Sequence, residues 1–260
     1  MTKPKVGISM LYCLGNPFKT MIKEIPRAET KYIEIVDDGF HTLNVQRVTA
    51  LKEIKESYEL EISVHAPFAD INIASPSKPT LTTTLKRLKK SITHARALDA
   101  YLWIFHPGMK TGISSFYPGA DWLQNLKTIK SLLQIADDCD VKIAIENVPE
   151  PFPCLMKSVN DFQRFYSEIN DNIGFALDVG HANVNGQLNI FLKAFANRLV
   201  HMHLSDNDGS ADQHLGIGWG TVDWKSLADH LRKIAYDRTL VIESIEHTEE
   251  SLKKLKSLFA

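Results

Sequence analysis

Short apolar runs return along this chain at regular intervals, each closed by polar residues and followed by a longer stretch with helical spacing. The segments 6–10, 31–36, 61–65, 101–106, 141–146, 173–178, 199–204 and 239–243 read as buried strands. Between them, 43–58 places apolar residues at Leu43, Val48, Leu51 and Ile54 among lysines and glutamates, the pattern of a helix with one buried face. The stretches 18–27 (cut by Pro26), 80–98, 121–139, 159–169 (capped by Asn160 or Ser158), 189–196, 224–234 and 249–259 carry similar signals. Strand–helix alternation of this kind predicts parallel pairing through crossover helices. The expected fold is α/β, a single-domain (β/α)8 TIM barrel over residues 1–260. An open doubly wound sheet is disfavoured because no Gly-x-Gly-x-x-Gly turn follows the first strand. No internal repeat, low-complexity segment or linker marks a boundary.

Composition changes this picture little. Apolar residues make up 44% and charged residues 23%, enough to bury a sizeable core. With 30 basic and 31 acidic residues, no overall basic field advertises nucleic acid or an anionic membrane. The cysteines Cys13, Cys139 and Cys154 are widely spaced and form no Cys-x-x-Cys pair, so neither a disulfide framework nor a thiolate zinc site is indicated. A reducing, cytoplasmic setting is expected, with no export signal and no membrane partner.

The chemistry collects at strand ends. Strands three to eight finish in His65, His106, Glu146, Asp178, His203 and Glu243, each at or within a residue of the C-terminal end. In a barrel those ends meet on the face where active sites of this fold sit, so six metal-competent side chains would share one bowl. Any one of them alone is more simply a cap or a satisfied core polar group. Several carboxylates buried together without a cation would cost several kcal/mol per ion, and a divalent metal removes that difficulty. His181, Asp212 and His214, placed in loops beside the strand ends, bring the candidates to nine, more than one zinc or manganese needs. One to three ions, or one ion plus substrate contacts, would account for them.

In this ordered set the chain resembles the xylose isomerase-like barrels, which include sugar and sugar-phosphate isomerases and epimerases and also apurinic/apyrimidinic endonucleases. The resemblance is carried by Val64-His65-Ala66-Pro67-Phe68, Phe105-His106-Pro107-Gly108, Ile145-Glu146-Asn147, Leu177-Asp178-Val179-Gly180-His181-Ala182, His203-Leu204-Ser205-Asp206, Asp212-Gln213-His214 and Glu243. The isomerase branch implies that Glu146, Asp178, His203 and Glu243 hold one divalent metal, zinc or manganese. Glu146 and Glu243 then shuttle a proton at the carbon next to a sugar carbonyl, through a metal-stabilised enediolate. His181 would hold a substrate hydroxyl, and Phe68 and Trp219 either line the sugar pocket or pack the rim. A small sugar or sugar phosphate would be the partner, and a homo-oligomer is compatible with this reading. The endonuclease branch implies a trinuclear zinc cluster. Glu146 would bridge, with His65 and His106 on one metal, Asp178, His203 and Glu243 on a second, and His181, Asp212 and His214 on a third.

Every ligand of that second branch is present, but its DNA grip is not. Where the endonucleases carry a basic loop after strand two, this chain has Val36-Asp37-Asp38-Gly39-Phe40-His41, acids expected to repel a phosphate backbone. The wedge after His65 is reduced to Phe68-Ala69. The loop 216–224 looks like the isomerase branch. The expected function is therefore sugar isomerisation or epimerisation, with the endonuclease as runner-up and DNA a partner only there. His201 is read as a barrel-core histidine, His94, His230 and His247 as surface residues, and 86–90 as a solvated basic helix face.

Overall fold

The computed structural model describes residues 3–169, 171 and 173–259. Eight parallel strands close on themselves in sequence order: β1 (Lys5–Ser9), β2 (Tyr32–Val36), β3 (Glu61–His65), β4 (Leu102–Phe105), β5 (Ile143–Glu146), β6 (Gly174–Asp178), β7 (Leu199–Leu204) and β8 (Thr239–Ile242). β8 pairs back onto β1 through Thr239↔Lys5 and Ile242↔Ile8, so no edge is left unpaired. The fold is thus the (β/α)8 TIM barrel that the alternation predicts, in a single domain.

Period-2 alternation divides each strand between two environments. Ile33, Ile35, Val64, Trp103, Phe105 and Phe175 face outward into the main apolar core beneath the helices. Leu102, Ile104, Ala144 and Ala176 form a small separate cluster. They fill the β4–β6 side of the barrel interior, while Glu34, Ser63, His201 and His203 are buried on the other strands.

The helices are α1 (Phe18–Glu24), α2 (Val45–Tyr58), α3 (Lys78–Ala97), α4 (Ala120–Asp138), α5 (Val159–Glu168), α6 (Val179–Val184), α7 (Leu188–Phe195), α8 (Trp224–Lys233) and α9 (Thr248–Leu258). Ser158 caps α5, its hydroxyl accepting from Asp161 N while Asp161 accepts from Ser158 N, so it is the cap rather than Asn160. Leu43 lies before α2, buried, and the cap there is Asn44. One element escapes periodicity altogether: α6 starts directly at the end of β6, capped by Asp178, and at six residues is too short to show a helical stripe. His94 on α3 is buried rather than on the surface, with 8% exposure. Among the described residues, no helix is long and apolar enough to cross a membrane.

Candidate metal and active site

Parallel closure brings all nine predicted ligands to the C-terminal mouth of the barrel, around Glu146 at the end of β5. Glu146 Oε2 lies 3.3 Å from Nε2 of both His65 and His106. Its Oε1 lies 3.0 Å from His203 Nδ1 and 3.6 Å from His181 Nδ1. Glu243, one residue past β8, places Oε2 3.5 Å from the same His203 nitrogen. Asp212 Oδ2 sits between His181 Nε2 at 3.3 Å and His214 Nε2 at 3.1 Å. Their potential ligand atoms gather, within 4.8 Å of one another, as His65–His106–Glu146, as Glu146–Asp178–His203–Glu243 and as His181–Asp212–His214.

Local structure aims these groups. A main-chain carbonyl can only accept, so three histidines are fixed as Nδ1–H donors: His65 to Ala66 O (2.8 Å), His181 to Asn147 O (2.8 Å) and His214 to Glu243 O (2.9 Å). That turns Nε2 of each ring toward the bowl, as the nitrogen that could ligate an ion once it sheds its proton. The Asn147 side chain clamps β6, donating to Asp178 O at 3.0 Å and accepting from Asp178 N at 2.8 Å. Asp178 Oδ1 in turn accepts from His181 N at 2.6 Å, so the cap of α6 also orients a candidate ligand. His181 therefore sits on the first turn of a helix rather than in the loop expected beside the strand end. A Cβ at Gly180 would come 2.5 Å from Ser205 Oγ, which keeps this turn tight against β7.

The loop 205–223, which carries Asp212 and His214, is tied down by buried Asp206. Its carboxylate accepts from Trp224 Nε1 (2.7 Å), Gly218 N (2.8 Å) and Val222 N (3.1 Å). His214 itself holds a left-handed backbone, φ 49°, a strained conformation kept by this surrounding bonding.

The electrostatics follow from burial against close charges. Burial pushes His65 down, and the adjacent Glu146 carboxylate overrides it, lifting the ring to about 9. Against the same burial, Asp178 and Asp212 raise His181 to about 10, and Asp212 with Glu243 raises His214 to about 9. His106 stays below its ordinary value because burial outweighs Glu146. Burial lifts Glu243 to about 7 and also raises Asp178. Glu146 ends well below the usual carboxylate range, since His203 and His106 overcome its burial.

The donor set fits a divalent cation. Glu146 Oε2, Asp178 Oδ2 and Asp212 Oδ1 are buried and accept no hydrogen bond, which is costly for carboxylate oxygens unless a cation is held among them. Carboxylate oxygen with imidazole nitrogen suits zinc or manganese.

Of the two aromatic candidates, Phe68 stands at the bowl, edge-on to His65 at 5.6 Å and tilted over His106 at 5.9 Å. Trp219 stands at the rim, 62% exposed and stacked on His247 at 4.1 Å. His201 is in the barrel core as expected, fully buried, 3.1 Å from Glu34.

Two expectations need correction. Asp37 does not face an incoming ligand as a free charge: it is fully buried and grips Arg87, whose guanidinium donates to Asp37 Oδ1 (2.9 Å), Oδ2 (3.2 Å) and the main-chain oxygen (2.6 Å). Arg87 accordingly leaves the solvated face of 86–90. Asp38 is also engaged, accepting from the amides of Phe68 (2.9 Å) and Ala69 (2.8 Å), which holds Phe68 over the histidines. The residue missed in sequence is Glu34 on β2, whose Oε1 lies 2.9 Å from His203 Nε2. A lone acid inside Tyr32-Ile33-Glu34-Ile35-Val36 was the available signal.

The family model described as "Xylose isomerase-like TIM barrel" matches residues 22–258. The chain is 31% identical over 244 residues to Uncharacterized protein MJ1311 of Methanocaldococcus jannaschii, covering 92% of this chain and 83% of that protein. It is 26% identical over 191 residues to Probable endonuclease 4 of Lysinibacillus sphaericus, covering 67% and 62%. A solved structure described as a D-tagatose 3-epimerase-like protein superposes with a TM-score of 0.89 at 29% identity, over 98% of this chain and 100% of that one.

Proposed function

Starting from a chain that belongs to the xylose isomerase-like TIM barrel family, we propose that it is a divalent-metal-dependent isomerase or epimerase of a small sugar or sugar phosphate. The observation that carries this reading is the convergence of Glu146, Asp178, His203 and Glu243, with two carboxylates approaching one imidazole nitrogen from different strands. A divalent ion held by these four would supply Lewis-acid polarisation of neighbouring substrate oxygens and so acidify the carbon between them.

The chain's own groups account for the proton. The same pocket separates the two glutamates: Glu146 is kept ionised by its histidines, while burial lifts Glu243 to about 7. Such a pair suits acid–base exchange at a carbon next to a carbonyl, Glu146 accepting and Glu243 returning a proton. His181 would hold a substrate hydroxyl, and Phe68, which lies beside His65 and His106, would wall the pocket.

A second reading, an endonuclease acting at abasic DNA through up to three ions, is favoured by the extra groups His65–His106–Glu146 and His181–Asp212–His214. Against it, the loops that follow the eight strands carry only Lys110 and Lys157 among their described lysines and arginines, and Lys157 is held by Glu150 at 2.6 Å. A phosphate backbone would find few free cations there.

The deciding experiment is turnover of a ketose panel, with and without phosphate, after loading with zinc or manganese, run beside incision of an abasic-site duplex. Isomerisation or epimerisation with about one essential ion is expected. Glu146-dependent incision without sugar turnover would establish the second reading instead.

A further inference from the structure

The histidines of the bowl do not all present the same nitrogen. His65, His181 and His214 give Nδ1 to a main-chain carbonyl and turn Nε2 inward. His203 is reversed: Nδ1 hydrogen-bonds Glu146 Oε1 at 3.0 Å and lies 3.5 Å from Glu243 Oε2, while Nε2 lies 2.9 Å from Glu34 Oε1 as an ion-pair contact without hydrogen-bond alignment. Glu34 reaches it from β2, a strand that does not pair with β7. Its other oxygen accepts from Ser63 Oγ at 3.0 Å and lies 3.1 Å from His201 Nε2, and all four side chains are fully buried.

Resting on the metal reading above, we propose that Glu34 is a positioning residue for the metal centre: beside Nε2 it keeps that proton on His203, so that the Nδ1 proton facing Glu146 is the one displaced by an ion shared with Glu146, Asp178 and Glu243.

Depth in the barrel explains why a side chain has this task. The rings at the mouth reach loop or strand-end carbonyls, but between β6 and β8 the carbonyls around His203 are engaged in ladder bonds, with His203 paired to Asp178 and Val241. The Glu34 carboxylate, from across the barrel, stands within reach of Nε2. A carboxylate there also increases the electron-donating power of the ligating nitrogen. A purely space-filling interior would be met by the apolar residues seen on the β4–β6 side, Leu102, Ile104, Ala144 and Ala176. Burying an acid instead costs several kcal/mol before its partners offset it. His201 and Ser63 occupy the second oxygen and leave the first for His203.

The inference is tested first on the unaltered chain, loaded with cadmium-113 and labelled with nitrogen-15 in histidine. The expected result is scalar coupling from cadmium to His203 Nδ1 with a slowly exchanging proton on Nε2. Coupling through Nε2 overturns the inference alone. Cadmium that couples to neither nitrogen overturns the metal reading and the inference with it.

The second test is chelator competition on folded variants. Glu34→Gln is expected to weaken zinc affinity by about 10- to 100-fold, while His201→Gln, which disturbs the same buried cluster from the other side, stays within about threefold of the parent. Equal losses in both, or none in Glu34→Gln, would reduce Glu34 to a core residue. Should Glu34→Gln not fold, the cadmium experiment still decides.

Discussion

The two mouths of the barrel make opposite use of charge. The larger cavity, about 750 Å³, lies at the N-terminal mouth among the strand starts Lys5, Tyr32, Glu61, Tyr101, Lys142 and Arg238. Its charges are spread and individually moderated: Arg198 lies over Tyr166, Lys5 over Tyr32, and Arg238 beside Asp237. At the C-terminal mouth the cavity beside Phe68, His106, Met109 and Cys154 measures only about 40 Å³. Yet that end gathers the buried carboxylates with unpartnered oxygens. Volume alone therefore points to the end opposite the candidate ligands. Desolvated carboxylates that their neighbouring histidines offset only in part mark a place for a cation, because a held ion lowers their cost further.

The largest effect that would break this contrast is loss of an acid–base group at the upper mouth. Glu243→Gln should lower turnover by about 10²- to 10⁴-fold with metal still bound, read by steady-state kinetics beside metal analysis. Retained turnover would remove Glu243 from the chemistry.

Chelation comes next. An ion present at 1,000 times its Kd contributes about 4 kcal/mol, so stripping it should lower Tm by about 10 °C for a domain of this size. Scanning calorimetry with and without chelator measures this, and an unchanged Tm would argue against a tightly held ion.

A third measurement sharpens the electrostatic side of the comparison. On the reading with up to three ions, His65 at about 9, His181 at about 10 and His214 at about 9 carry a proton at neutral pH before metal binds, and a ligating ring must shed it. Affinity should therefore fall as pH drops below 9, by about tenfold per unit for each proton displaced. Calorimetric titration in buffers of different ionisation enthalpy counts those protons. Affinity flat between pH 6 and 8 would mean that none of these rings binds an ion.

The smallest effect belongs to the lower mouth. Lys142→Ala and Arg238→Ala should leave turnover within about twofold and stability within about 0.5 kcal/mol, since both are strand-start groups away from the buried ligands. A large activity loss there would place function in the larger cavity after all.

Much of the upper mouth was legible in sequence because its signal is local: apolar runs that stop, six times in succession, on His, Glu or Asp. Strand direction alone then assigns those stops to one face. His201 could be separated from His203 by two-residue spacing, which puts both on one face at different depths. The same rule overlooked Glu34, because an acid in mid-strand carries no mark of what stands across the barrel from it. Asp37 and Arg87 misled for a related reason: fifty residues apart in sequence, each reads as solvated until α3 packs over the end of β2. The helix around His181 was hidden by its brevity.

Period and punctuation along the chain by themselves determined eight strands, their helical crossovers and the histidines and acids at their ends, since all of these rest on interactions between near neighbours in sequence. Which nitrogen each histidine offers, which acids are neutralised, and that Glu34 lies beneath His203 were decided only when the barrel closed. Those properties depend on distances across its interior, where the neighbours of a buried polar group are side chains that sequence proximity does not supply.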